Sequence, residues 1–129
     1  MNKNIAIFPT LLLIILLSAC NKYVGDYNSD FVGYWKTDIV LDAETGAQEQ
    51  SYMIIGKEHN EFGLSCQTNC VGCDCLKFVE GKAVVNTSKT KLRIGISRNS
   101  LTFTITKEPY QDVDGNWMCE LDGVVYYKQ

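Results

Sequence analysis

Cys66, Cys70, Cys73 and Cys75 fall within ten residues, in the run Cys-Gln-Thr-Asn-Cys-Val-Gly-Cys-Asp-Cys, while Cys20 and Cys119 stand apart from them and from each other. Thiols this dense admit three chemistries. They can oxidise to disulfides, each of which stabilises a small domain by about 2–4 kcal/mol, chiefly by constraining the unfolded chain. They can wrap a soft metal such as Zn(II) or Cu(I), with Asp74 or His59 as a further ligand. Finally, Cys70-Val71-Gly72-Cys73 is a Cys-x-x-Cys, which cycles between dithiol and disulfide where a helix N-terminus lowers a thiol pKa. Zinc sites usually combine two separated pairs, and this run is too compressed to match them. No βαβ pattern surrounds the Cys-x-x-Cys either. Disulfides are therefore the expected chemistry, with Cys66, Cys70, Cys73, Cys75 and Cys119 as candidates. A metal site at Cys66, Cys70, Cys73 and Cys75 is the alternative.

Little else in the chain suggests chemistry. His59 is the single histidine, set in Lys-Glu-His-Asn-Glu, which reads as an exposed loop between two strands. Asp112-Val113-Asp114-Gly115-Asn116 places its glycine fourth rather than at the sixth position an EF-hand loop needs, so it reads as a β-turn before Trp117. Glu58, Glu61 and Glu120 make an acid pair only if the fold gathers them. Asn86-Thr87-Ser88 matches a glycosylation sequon, which has meaning only in a eukaryotic secretory route. There is no His-Glu-x-x-His, no phosphate-binding glycine loop and no nucleophile elbow. The sequence thus assigns no catalytic residue, no cofactor and no enzymatic activity. Its 129 residues, 46% of them hydrophobic, suffice for one folded domain. Twelve Lys and Arg against fifteen Asp and Glu give a net charge of -3, without the basic face that phosphate contacts require, so no nucleic-acid partner is expected.

The first residues are an address. Lys3 is followed by an apolar stretch over residues 5–17, shorter than the roughly 18–20 residues of a spanning helix and interrupted by Pro9. That is a secretory signal. Leu17-Ser18-Ala19-Cys20 resembles the lipobox of bacterial lipoproteins, in which a branched apolar residue and two small ones precede a lipidated cysteine. The resemblance implies cleavage after Ala19, a diacylglycerol thioether on Cys20 and an N-acyl chain, which together anchor stably where one chain does not. Lipoproteins kept in the inner membrane often carry Asp at the next position; Asn21 stands there, pointing to the outer membrane of a diderm bacterium. In that oxidising setting the five remaining cysteines form at most two bonds, and Cys119 is expected to be bridged because a lone thiol is a liability. Residues 20–30 read as the lipidated cysteine and a polar, turn-rich tether, with the domain over 31–129. The mature domain, acidic overall, is expected to stand off from an anionic surface.

The elements that must position these residues are strands. Trp35, Thr37, Ile39 and Leu41 alternate with Tyr34, Lys36, Asp38 and Val40, and residues 51–55 read as the return after a turn over 42–46. Leu92, Ile94 and Ile96, then Leu101, Phe103 and Ile105, alternate with polar residues as in a hairpin with one face on a core and one in water. Shorter strands are expected over 61–67, 76–80, 83–87, 117–121 and 124–128, and no helix. Gly33-Tyr34-Trp35 resembles the Gly-x-Trp opening of the lipocalin and calycin proteins, and the closing Asp-Gly-Val-Val-Tyr-Tyr-Lys at 122–128 is similar to the last strand of small lipocalin-like lipoproteins. The resemblance implies an all-β fold, a small antiparallel up-and-down meander barrel of about eight strands; the alternative is a β-sandwich. Strands this short make a barrel that its own side chains can fill. The lipidated barrel with a Cys-x-x-Cys is also similar to the N-terminal barrel of an envelope-stress and copper-resistance lipoprotein family, which carries its pair before the first strand.

Function is expected to follow the address: a binding or interaction module, anchored to the membrane through Cys20, for a small apolar ligand or another envelope protein. Trp35, Tyr34, Trp117 and Tyr126, with Tyr110 and Tyr127, would line or rim its site. The alternative is a thiol- or metal-responsive sensor or scavenger using the 66–75 segment. An architectural envelope protein without a ligand is a third possibility.

Overall fold

Alternation of apolar and polar residues becomes antiparallel pairing along almost the whole chain. The structure, a computed structural model, describes residues 21–41, 43–44, 46–64 and 76–129. In chain order these form β1 (Lys22–Tyr23), a one-turn helix α1 (Val24–Tyr27), a 3-10 turn (Ser29–Phe31), β2 (Gly33–Lys36), β3 (Val40–Leu41), β4 (Gln48–Glu49) and β5 (Ser51–Ile55). There follow β6 (Asn60–Leu64), β7 (Leu76–Glu80), β8 (Lys82–Val85), β9 (Lys91–Ile96), β10 (Asn99–Gln111), β11 (Trp117–Leu121) and β12 (Val124–Lys128). Ten strands make one sheet in the order β1-β8-β9-β10-β11-β12-β2-β5-β6-β7, every pair antiparallel, and β3 with β4 forms a separate small ribbon. The last strand lies beside β2, pairing Tyr127 with Lys36 and Lys128 with Trp35.

Two stretches of chain serve both halves of this sheet. β10 is 13 residues long; its first half pairs with β9 and its second with β11, with register shifts on either side of Lys107. β7 and β8 are separated by Gly81 alone, whose φ of +142° and amide bond to Asn60 O at 2.9 Å turn the strand from β6 towards β9. Glycine is required at this corner. A Cβ on Gly81 would lie 2.9 Å from the carbonyl carbon of Gly95, itself at φ +124°.

Inward-facing rows follow directly from the registers: Trp35, Met53, Phe62 and Val79 across β2-β5-β6-β7, and Val85, Leu92 and Phe103 across β8-β9-β10. All seven are buried, and the Phe62 and Phe103 rings meet at 4.9 Å between centroids, so the two parts of the sheet share one core. Each such side chain stabilises the fold by roughly 1.5–3 kcal/mol through burial. Trp35 is 0% exposed, and its indole Nε1 donates to Phe31 O at 2.8 Å.

Two expectations are corrected. The segment over 20–30 is not a tether from Asn21 onward: Lys22 and Tyr23 pair with Val85 and Val84, and Val24 and Phe31 are fully buried. Val24, Tyr27 and Phe31 recur at helical spacing, so the apolar residues scattered among polar ones share one inward side. The folded domain therefore begins at Lys22 rather than near Phe31. The strand expected over 34–41 ends at Lys36, where Thr37 bonds instead with the backbone of Ser51 and Gln50 Nε2 donates to Thr37 O at 2.7 Å. Ile39, Val40 and Leu41 are left 58%, 62% and 64% exposed. By contrast the shorter strands expected over 76–80, 117–121 and 124–128 stand at those bounds.

Candidate functional site

The aromatic residues expected to line a ligand site do not gather into one. Trp35 and Tyr126 are core side chains. Tyr34 faces outward and meets Tyr52 edge-on at 6.2 Å, while Lys107 Nζ lies over Tyr110 at 3.9 Å. Trp117 packs against the core edge, and Lys128 Nζ lies 5.1 Å from the Trp35 ring and 5.4 Å from that of Trp117 while donating to Asp30 O at 2.9 Å. Burial pushes the Tyr126 phenol up to about 12. These residues hold the fold together.

Cys119, expected in a bridge, is a free thiol among the described residues and 0% exposed. It sits opposite Tyr126 on the β11–β12 pair, and burial pushes its pKa up to about 12. A thiol held neutral in apolar surroundings is neither nucleophile nor metal ligand; it packs as a small hydrophobic side chain. Cys20, Cys66, Cys70, Cys73, Asp74 and Cys75 lie outside the described residues. The chain enters and leaves the 65–75 segment at Leu64 and Leu76, which face each other in register.

The outer face of β5-β6-β7 carries a polar network that sequence reasoning found only in part. Glu61 and Glu80 are cross-strand partners, and Gly63 between Tyr52 and Lys77 leaves room for the Tyr52 ring, 3.0 Å from where a Cβ would stand. Tyr52 Oη donates to Glu61 Oε1 at 2.7 Å, His59 Nε2 lies 2.7 Å from Glu61 Oε2, and Lys77 Nζ is 3.2 Å from Glu61 and 2.8 Å from Glu80. Glu61 is only 8% exposed. Burial pushes its pKa up, but the bonds from Tyr52, Lys77 and His59 outweigh it and hold the carboxyl below its usual value. His59, Glu61 and Glu80 offer ligand atoms within 4.8 Å of one another, the one such group among the described residues. The Lys77 ammonium already stands between the two carboxylates, so a divalent cation would have to displace it. Neither Glu58 nor Glu120 joins this pair. The β6–β7 register, which shifts between Phe62 and Gly63, brings in Lys77 and Glu80 instead, and no sequence signal gives that shift.

Asp112 behaves as its sequence suggests. Its Oδ1 accepts from the amides of Asp114 and Asn116, both at 2.9 Å, and Gly115 takes φ +84°, closing a turn before Trp117 with the carboxylate used internally.

Two exterior clefts lie towards opposite ends of β6. One, of about 410 Å³, is lined by Thr37, Asp38, Val40, Glu49, Ser51, Leu64, Val124, Val125 and Tyr127. The other, of about 620 Å³, is lined by Asn21, Tyr23, Lys57, Glu58, Asn60, Gly81, Lys82, Val84 and Ile96. Leu64 and Asn60 are four residues apart, about 13 Å along a strand. Two stretches of the chain differ sharply in charge. Residues 37–50 contain four acids (Asp38, Asp42, Glu44 and Glu49) and no cation, whereas residues 81–107 contain six cations (Lys82, Lys89, Lys91, Arg93, Arg98 and Lys107) and no acid. Among the described residues no helix is long and apolar enough to cross a membrane. Compared with known proteins, the chain matches no family model, no curated protein and no solved structure.

Proposed function

We propose that this chain is an envelope lipoprotein, anchored through Cys20, whose small β-domain binds a protein partner on its exterior. The observation that carries this reading is the packed core: among the described residues Trp35, Met53, Leu92 and Ile94 have no exposed surface, which favours recognition on the outside of the domain. The shared strand β10, the Gly81 corner and the Phe62–Phe103 contact support a sheet curled into a small barrel of the up-and-down kind, with its core as the plug. A small apolar ligand has no place in such a core.

The partner surface we assign is the end bearing the smaller cleft. Exposed Ile39, Val40 and Leu41 lie there on the strand connection, with Leu76 and Val124 exposed nearby on the sheet, rimmed by acids. A thiol- or metal-responsive role for the 66–75 segment would use this same end, since Leu64 lines the cleft and leads into it.

A photo-crosslinking side chain placed at residue 40 of the full chain, compared with one at residue 107, tests this in living cells of a diderm bacterium. Discrete protein adducts from residue 40 and none from residue 107 are expected. Adducts from both positions alike, or from neither, contradict it. Metabolic labelling with an alkyne fatty acid, which the wild-type chain should incorporate and Cys20→Ala should not, tests the anchor separately.

A further inference from the structure

The residue after the anchoring cysteine does not hang free of the domain; it lies on a positively charged face. Asn21 lines a shallow cleft with Val84, Asn86, Lys91, Arg93 and Thr102, and it also borders the larger cleft that holds Lys57, Lys82 and Ile96. Registers explain the face. Ala83, Val85, Leu92 and Ile94 point into the core, so Lys82, Val84, Lys91 and Arg93 point out, with Val84 opposite Arg93 and Arg93 opposite Thr102. Lys82, Lys91 and Arg93 are exposed, and none is ion-paired among the described residues. Glu58 is the one acid lining either cleft. Ile96 is 61% exposed at the tip of β9.

From this placement we propose that the outer face of β1-β8-β9 docks on the membrane, its cations meeting anionic phospholipid headgroups and Ile96 dipping between them. The proposal rests on the anchor reading. With one residue between Cys20 and the paired strand β1, an acyl chain inserted in a bilayer holds this face within a residue or two of the headgroups. The face is therefore kept inside the Debye length, where each Lys or Arg is attracted to an anionic surface. The net negative charge of the whole chain, which suggests standing off, is overruled locally because Glu58 is the one acid among the cations lining these clefts.

The test uses the full chain as processed in cells, reconstituted into phosphatidylcholine vesicles with or without phosphatidylglycerol. A soluble amine reagent is applied, and lysine labelling is read peptide by peptide. Labelling of Lys82 and Lys91 should fall roughly fivefold when phosphatidylglycerol is present, recover in high salt, and stay constant at Lys36 and Lys77. The variant Arg93→Gln, first shown to melt like wild type, should lose much of the protection at Lys82 and Lys91. Equal labelling in both vesicle types overturns the proposal. So does protection by a duplex oligonucleotide without protection by phosphatidylglycerol. The mass of the processed chain reports the anchor independently. If it carries no lipid, the same labelling still decides the face: protection sustains it without an anchor, and equal labelling removes it.

Discussion

Residues 37–50 and residues 81–107 both carry the alternation that predicts strands, yet they end in opposite circumstances. In the second region Ala83, Val85, Leu92, Ile94 and Phe103 found the core, although Ile96 and Leu101 beside the β9–β10 turn did not, and the charges left outside are cationic. In the first, pairing with β5 ends after Lys36, the next apolar residues are exposed, and the only charges are acids. Alternation states which side chains share a face; it does not supply a partner for that face. Net charge is misleading in the same way, since -3 is the sum of a cationic strand pair and acidic connections.

The largest expected effect comes from the core the two regions share. Trp35→Ala should cost about 3–5 kcal/mol in chemical denaturation. Amide protection should fall together in β5 and β9; loss confined to β5 would mean that the regions are separately stable. Next comes the corner that joins them. Gly81→Ala should cost about 1–3 kcal/mol, because φ +142° is strained for any other residue and a Cβ there meets the Gly95 backbone. Gly115→Ala, at φ +84° with open space around it, carries the strain without the contact and should cost less. Equal costs would remove Gly81 as a packing corner.

A smaller effect belongs to the Glu61 network. Its carboxyl is held below the ordinary 4.5 in the folded state, so the stabilisation is fully present above that value and is lost as pH falls through the folded pKa. Glu61→Gln should cost about 1 kcal/mol at neutral pH and flatten the acid side of the stability profile. An unchanged profile would show that Tyr52, Lys77 and His59 do not hold a charged carboxylate. Smallest of all, Ile39→Ser with Leu41→Ser should leave stability within about 0.5 kcal/mol while abolishing the adducts expected from the residue-40 crosslinker. A large loss of stability would place these residues in a core and spoil the contrast.

Most of the fold was legible in the sequence. Strands at 76–80, 117–121 and 124–128 were readable to the residue because glycine, asparagine or aspartate bounds each of them. The start of the domain was not, since Val24 and Phe31 are buried by two separate short turns whose few apolar residues stand among polar ones. The setting of Cys119 was hidden for a different reason. A lone thiol on a strand is a liability only if exposed, and exposure depends on which face of β11 meets the core. The polar network was half visible: His59 and Glu61 stood out, but Lys77 and Glu80 join them only through a register fixed across the intervening 65–75 segment. The cationic face was hidden by scattering, since its six charges are spread over 27 residues without a run. Pairing brings three of them together.

The account turns on Cys20. The most direct measurement is the intact mass of the chain extracted from membranes of cells that express it. Loss of residues 1–19 with a diacylglycerol and an acyl chain added to Cys20 is the predicted result. A chain that keeps residues 1–19, or one that begins at Cys20 with an unmodified thiol, would contradict it.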